Sequence, residues 1–354
     1  MATDPLRGHE RIARILAQSL RAGRLASTYL FVGPPGIGKH AFALRLAQSL
    51  LCETRDPAEL DPCGQCPGCI QAMAGTHPDL HLVAKPRDRS FIPLSCFLGD
   101  DQHRLREGLC HWISLKPSRG RRKVAIVDDA DALNEEGANC LLKTLEEPPP
   151  CSLLILVGTS ALQQLPTIRS RSQIIRFAPL EIEDVREVLL ERGIATDPHH
   201  AQRLAERSQG SLAAAIDLAD EELEAFRAQL VSRLASGRLD SVKTAAWVAA
   251  FIDDAGKEAP TRRRRARSTV GFALEFYRAL LRALSARPML EDTELAAAVA
   301  RAAIASPPVE AVLACIDRCL ETLDHIDRNA NQATLIDAWI DDLASIMAGL
   351  PVAA

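Results

Sequence analysis

Four cysteines near the start of the chain have the spacing of a metal site. Cys63, Cys66 and Cys69 form a C-x2-C-x2-C pattern, and Cys52 precedes them across a loop that contains two prolines. Four thiolates can close a tetrahedral Zn²⁺ site, and a site closed by four protein ligands is structural. The loop has few apolar residues, so it needs such a clip to be ordered. A redox pair, an iron–sulfur cluster and unpaired thiols are the alternatives.

A glycine-rich segment, GPPGIGKH at 33–40, predicts a phosphate-binding loop. Backbone N–H groups at its glycines can wrap phosphates, and Lys39 can reach the terminal ones. These glycines are Gly33, Gly36 and Gly38. The last position of such a loop is usually Ser or Thr, whose hydroxyl binds Mg²⁺, but here it is His40. The segment therefore favours a loop that binds ATP and hydrolyses it poorly, over a complete site or an empty turn.

Two acids follow an apolar strand pattern, VAIVDD at 124–129. Asp128 is placed to hold Mg²⁺, directly or through water. Asp129 stands where an active ATPase usually carries a Glu that activates water, and its shorter side chain withdraws the carboxylate, which is costly for catalysis. Surface acids at the end of a strand are the alternative interpretation.

The elements that must position these residues alternate between strand and helix in the first 178 residues. Helical spacing predicts helices over 9–22 and 39–51. Short apolar runs predict five strands, and together they indicate a parallel sheet covered on both faces. The predicted strands are 29–32, 79–83, 124–127, 153–158 and 174–177. After Pro179 only helical patterns remain, which predicts a small helical unit over 179–220 and a larger helical domain over 221–354.

Composition limits the function. The net charge is −4, with 42 basic and 46 acidic residues, so any DNA contact should be local or shared with partners. No apolar run is long enough to cross a membrane and no secretory signal is evident, so a cytoplasmic protein is expected. Two basic runs, 116–123 and 262–265, are predicted to be solvated faces or contacts to DNA or an acidic partner. The six cysteines outside the cluster are predicted to be small core residues: Cys96, Cys110, Cys140, Cys151, Cys315 and Cys319.

In their order along the chain, these pieces resemble the clamp-loader subunits of bacterial DNA polymerase III, and the delta-prime type more closely than the gamma/tau type. NCLLKTLEEPP, followed by a strand and a Ser-Arg motif, is highly specific to these subunits. Besides the Gly loop and the cysteines, the segments that carry the resemblance are AGTHPDL at 74–80, VAIVDDAD at 124–131, NCLLKTLEEPP at 139–149, IRSRS at 168–172 and, weakly, RNANQ at 328–332.

The resemblance implies roles for particular residues. Arg171, in Ser170-Arg171-Ser172, resembles the arginine finger that these subunits offer to a neighbouring subunit's ATP. Arg169 is a competing candidate, and an arginine on a solvated helix end is the plain alternative. Active loaders carry a further arginine after the Gly-Ser of the helical lid, whereas residues 210–214 have none.

The resemblance also implies a fold and partners: an AAA+ P-loop domain with a zinc module at 52–69, a lid, and a collar. The expected function is that of a delta-prime-type subunit with weak or no ATPase of its own. It would work in a hetero-pentameric ring with gamma/tau and delta subunits, which loads the sliding clamp onto primed DNA. Two rivals are a self-sufficient gamma/tau-type ATPase and a zinc-dependent adaptor with a vestigial nucleotide site.

Overall fold

The computed structural model divides the chain into two compact units, Met1–Ile216 and Asp217–Ala354. The structure describes residues 7–349, except 87, 88, 90, 101, 102, 104, 105, 120, 237, 238, 257, 286–292 and 329. The predicted boundaries of three domains, after residues 178 and 220, stay a prediction. Of the helices in the described part, none is both long and apolar enough to cross a membrane.

One parallel sheet organises the first unit. Its strands are β1 (Thr28–Val32), β2 (Leu80–Val83), β3 (Lys123–Val127), β4 (Ser152–Val157) and β5 (Gln173–Arg176). They lie in the order β2-β3-β4-β1-β5, and all four pairings are parallel. Every residue of β1, β3 and β4 is buried, as expected when helices cover both faces. The predicted α/β class, a parallel sheet followed by helices, is confirmed.

Helices cover both faces of this sheet and continue beyond it. They are α1 (Glu10–Arg21), α2 (Lys39–Leu51), α3 (Pro67–Met73), α4 (Ser95–Leu98), α5 (Gly108–Ser114), α6 (Glu135–Glu146), α7 (Pro166–Arg171), α8 (Ile182–Glu191), α9 (Pro198–Arg207) and α10 (Leu212–Leu218). Because successive side chains of a strand point to opposite faces, Phe31 of β1 packs in one core with Phe42 of α2. Its neighbour Leu30 packs in the other core with Leu141 of α6.

In the described residues of the second unit, all regular secondary structure is helical. Its helices are α11 (Glu221–Leu234), α12 (Ser241–Asp253), α13 (Ala259–Leu284), α14 (Thr293–Ile304), α15 (Val309–Asp327) and α16 (Gln332–Met347). The core holds Trp339 and Tyr277, and buried Arg227 pairs with Glu275 at 3.1 Å. In the RNANQ segment, Asn331 accepts hydrogen bonds from Ala333 and Thr334 and caps α16; residue 329 lies outside the described residues.

The basic run 262–265 forms ion pairs with acidic residues of the second unit. Arg262 pairs with Asp253, and Arg264 pairs with Asp217. Arg265 lies 2.7 Å from Glu222 and over the ring of Phe251. Three of the four arginines thus pair with acidic residues of the second unit, and the side chain of Arg264 remains 66% exposed.

Part of the other basic run is buried, which corrects the prediction of a solvated face. Lys123 is 2% exposed, lies 3.9 Å over the ring of Trp112 and 3.7 Å from Asp79. Asp79, in the THPDL segment, also accepts hydrogen bonds from the backbone of Ser118 and Arg119 at 2.7 and 2.8 Å. This segment therefore anchors the loop that leads into β3.

One cysteine outside the cluster departs from the prediction of a core residue. Cys151 is exposed and has a φ of 58° in the turn before β4. Its side chain therefore meets solvent instead of the core. Cys315 and Cys319 are buried as predicted, and the other three are half-buried.

Candidate functional site

The Gly loop connects β1 to α2, as the sequence predicts. Gly38 precedes α2 with a φ of 95°, and Lys39 is the first residue of the helix. Buried Lys39 turns back on the loop, where its Nζ donates to the carbonyls of Gly33 and Pro34 at 2.7 and 2.5 Å. Burial lowers the pKa of Lys39, against the nearby Asp131 and Asp128, which raise it.

A helical segment of the same unit closes over this loop. The Ser211 hydroxyl donates to the carbonyl of Pro35 at 3.1 Å, and the Ala213 backbone donates to that of Gly36 at 3.3 Å. Gly36 has a φ of 77°, and a Cβ there would lie 2.3 Å from Ser211 Oγ. Only glycine permits this approach without strain, so the loop and the start of α10 are fitted to each other.

The structure brings His40 and Asp128 together. Asp128 follows β3, and its Oδ2 lies 2.9 Å from His40 Nδ1. This contact raises the pKa of His40, although burial lowers it. Burial raises the pKa of Asp128, but the contact with His40, the backbone amide of Asp129 and the charge of Lys39 together bring that pKa below its ordinary value. Both directions are those expected when a carboxylate lies close to an imidazole.

These residues do not fit Mg²⁺. The ion needs oxygen ligands in near-octahedral geometry, usually one or two carboxylates together with phosphates. An imidazole replaces the hydroxyl that the loop normally supplies, and it lies against the carboxylate that would be the protein ligand. Asp129, the second acid, is exposed and has a φ of 52°.

Arg171 is the last residue of α7 and is exposed. Its Nη2 lies 2.8 Å from Glu146 Oε1, at the end of α6. Its Nη1 donates to the carbonyl of Thr167 at 3.3 Å. These partners belong to its own surface and not to the Gly loop, so the guanidinium is presented outward. Arg169, the competing candidate, is half-buried on the same helix.

The four clustered cysteines converge as the sequence predicts. Cys52 follows α2, the next two lie in the loop before α3, and Cys69 is inside α3. Their Sγ atoms all lie within 4.8 Å of one another, with Cys63–Cys69 at 3.8 Å and Cys52–Cys66 at 4.0 Å. Zn–S bonds of about 2.3 Å in a tetrahedron place the sulfurs about 3.8 Å apart, so the cluster can hold zinc.

Backbone N–H groups point at these sulfurs, as they do around thiolates. The amides of Glu53 and Cys69 lie 3.4 Å from Cys66 Sγ. Hydrogen bonds from the Thr54 side chain and from the backbone of Gln65 and Cys66 lower the pKa of Cys63 to about 5, whereas burial raises that of Cys69. A divalent cation bound by the four cysteines would allow all of them to be thiolates at once. Its positive charge would offset the repulsion between the negative sulfurs.

Gly68 allows the segment that carries Cys63, Cys66 and Cys69 to pack closely against the end of α2. A Cβ at this position would lie 2.3 Å from the carbonyl oxygen of Leu51, the residue before Cys52. The side chain of Gln48 adds a hydrogen bond from α2 to the Cys69 carbonyl at 3.3 Å. The position of Cys52 relative to the other three sulfurs therefore depends on this close approach.

Three contacts of the site are not predicted from the sequence. His9 is buried, and its Nε2 lies 2.7 Å from the carbonyl of Ile37 in the Gly loop. Ser211 contacts the loop, whereas the sequence of its segment indicates only a missing arginine. Glu146 forms an ion pair with Arg171. Its position inside the segment NCLLKTLEEPP is a sequence feature that could have pointed to this contact.

Comparison with known proteins points to one family. Residues 8–181 match the family model described as DNA polymerase III, delta subunit. The chain is 33% identical over 258 residues to DNA polymerase III subunit tau of Escherichia coli, covering 71% of this chain and 38% of that protein. It is 32% identical over 222 residues to DNA polymerase III subunit delta' of Bacillus subtilis, covering 62% of each. The chain thus spans well under half of the tau relative.

Among solved structures, a DNA polymerase III gamma subunit-related protein of Thermotoga maritima aligns over 96% of this chain and 99% of its own, at 17% identity and a TM-score of 0.39. This structural similarity is low. The fold is therefore defined by the strand order of the sheet. The family match covers the Gly loop, the cysteine cluster, Asp128 and Arg171. Over these residues the chain is similar to the family described as DNA polymerase III, delta subunit.

Proposed function

We propose that this chain is a delta-prime-type subunit of a DNA polymerase III clamp loader and acts in the cytoplasm. With gamma/tau- and delta-type subunits it forms a hetero-pentameric ring, which loads the sliding clamp onto primed DNA at the expense of ATP. The proposal rests mainly on the exposed position of Arg171 at the end of α7. The guanidinium is exposed at the end of α7 and bonded to Glu146 and Thr167, away from the chain's own Gly loop.

Arg171 acts on the ATP of a neighbouring subunit. An arginine supplied in trans neutralises charge that develops on the transferring phosphoryl group, an effect of about 10³–10⁵ in rate in GTPases. The pair with Glu146 is solvent-exposed, with side chains 35% and 51% exposed. Exposed ion pairs contribute about 0–1 kcal/mol, so exchanging Glu146 for a phosphate costs little.

The chain's own Gly loop is not the motor. His40 is paired with Asp128, Asp129 replaces the usual Glu, and residues 210–214 lack an arginine. Each of these departures weakens hydrolysis at this site. The lysine of the loop and its glycines remain, so nucleotide binding without turnover is compatible with the site.

Zinc at the four cysteines is structural in this proposal. Cys52, Cys63, Cys66 and Cys69 leave no open coordination position, which excludes a catalytic role for the ion. The zinc module holds the segment after α2 in place, beside the loop 115–119, through the contact of Glu53 with Arg119 at 3.1 Å.

The proposal is tested by ATP turnover before and after reconstitution. The isolated chain is expected to hydrolyse ATP at background rate, whereas adding it to gamma/tau- and delta-type subunits should produce DNA-stimulated turnover and clamp loading. Turnover by the isolated chain that disappears in Lys39→Ala would favour the self-sufficient gamma/tau-type motor. Failure to assemble with these subunits would favour the zinc-dependent adaptor.

A further inference from the structure

The Gly loop contains a pair of side chains where a nucleotide site would hold its metal ion. His40 stands at the position of the magnesium-binding hydroxyl, and Asp128 at that of the magnesium-binding carboxylate. Instead of facing a common cation, their atoms Nδ1 and Oδ2 lie 2.9 Å apart. The imidazole is a nitrogen ligand, and Mg²⁺ prefers oxygen.

Other polar groups of the Gly loop also have hydrogen-bond partners within the chain. Lys39 donates to the carbonyls of Gly33 and Pro34, and Ser211 donates to that of Pro35. The lysine and the carboxylate that would meet phosphate or metal thus both have intramolecular partners. An arriving Mg²⁺ would have to displace the imidazole and lose part of its hydration, which this ion gives up reluctantly.

We propose that the His40–Asp128 pair occupies the magnesium position of the Gly loop, so that Mg²⁺ does not strengthen nucleotide binding by this chain. This inference deepens the proposed function and rests on it, since it names the device that keeps this subunit from acting as a motor.

The experiment measures nucleotide affinity of the isolated full chain, with ATP in excess Mg²⁺ and with ATP in EDTA, by calorimetry. In the native chain the two affinities should agree. In His40→Thr, where a hydroxyl returns and Asp128 is released, Mg²⁺ should strengthen ATP binding by about tenfold or more. The matched control is His199→Thr, an exposed histidine in the first turn of α9, which should behave as the native chain does.

A second variant links the gain to Asp128. The double substitution His40→Thr with Asp128→Asn should lose the magnesium effect, and His40→Ser should reproduce it if the threonine variant folds poorly. Magnesium-dependent binding by the native chain would overturn the inference, and so would hydroxyl variants that both fail to gain it. Because no partner subunit is present, these results are independent of whether Arg171 acts in a ring.

Discussion

In the proposed clamp loader, replacing Arg171 by alanine should leave assembly intact and lower ATP turnover at the neighbouring subunit by about 10³-fold or more. The physical reason is the loss of a positive charge that the transition state needs and that nothing else on α7 supplies at this position. Arg171 is exposed and makes one ion pair on its own surface, so its removal should cost the fold little. Steady-state ATPase and clamp loading of the reconstituted complex measure the effect.

Two control substitutions separate this role from a general effect of charge. Arg169→Ala removes the competing arginine of the same helix and should keep most of the turnover. Glu146→Gln removes the partner of Arg171 and should change turnover only a few-fold, because Glu146 holds the arginine but does not touch phosphate. A complex with Arg171→Ala that hydrolyses ATP at the native rate would contradict the arginine finger, and a loss in Arg169→Ala alone would reassign it.

Replacing Cys63 and Cys66 together by serine should remove one equivalent of zinc and destabilise the first unit. Structural zinc contributes about 10–16 kcal/mol in zinc-finger peptides. If about 3 kcal/mol of that is lost to the fold here, Tm should fall by about 6–12 °C for a domain of this size. Metal content by mass spectrometry and thermal unfolding of the same samples check both parts.

Cys151→Ser is the matched control for zinc, because Cys151 is exposed and outside the cluster. It should keep both the metal and Tm. Gly68→Ala keeps all four thiolates but pushes α3 off the Leu51 carbonyl, so it should weaken zinc retention without removing a ligand. Native protein that contains no zinc, or a double serine variant with an unchanged Tm, would contradict the metal centre.

The sheet could be predicted from the sequence because its central strands are buried on both faces. Runs such as those at 124–127 and 153–158 are almost wholly apolar, and the structure has buried strands there, at Lys123–Val127 and Ser152–Val157. The cysteine cluster was equally predictable, since short spacing along the chain forces three of its sulfurs together. Cys52 is brought in by the close contact of Gly68 with the end of α2.

Contacts between distant segments were beyond sequence reasoning. His40 and Asp128 each have the sequence position of a nucleotide-site residue. Their pairing brings the start of α2 against the end of β3, and β4 lies between β3 and the strand that precedes α2. Lys123 belongs to a run that resembles a solvated basic face. It is buried against the ring of Trp112 because of the way α5 packs. The acidic partners of Arg262, Arg264 and Arg265 lie on other helices, which no local pattern reveals.

In the proposed complex this chain lends an arginine and does not need its own nucleotide site for turnover. The sharpest test compares clamp-loading ATPase of two reconstituted complexes, matched for assembly, that carry Lys39→Ala or Arg171→Ala in this subunit. We expect near-native turnover with Lys39→Ala and a severe loss with Arg171→Ala. The opposite pattern, loss with Lys39→Ala and native turnover with Arg171→Ala, would contradict this division of roles.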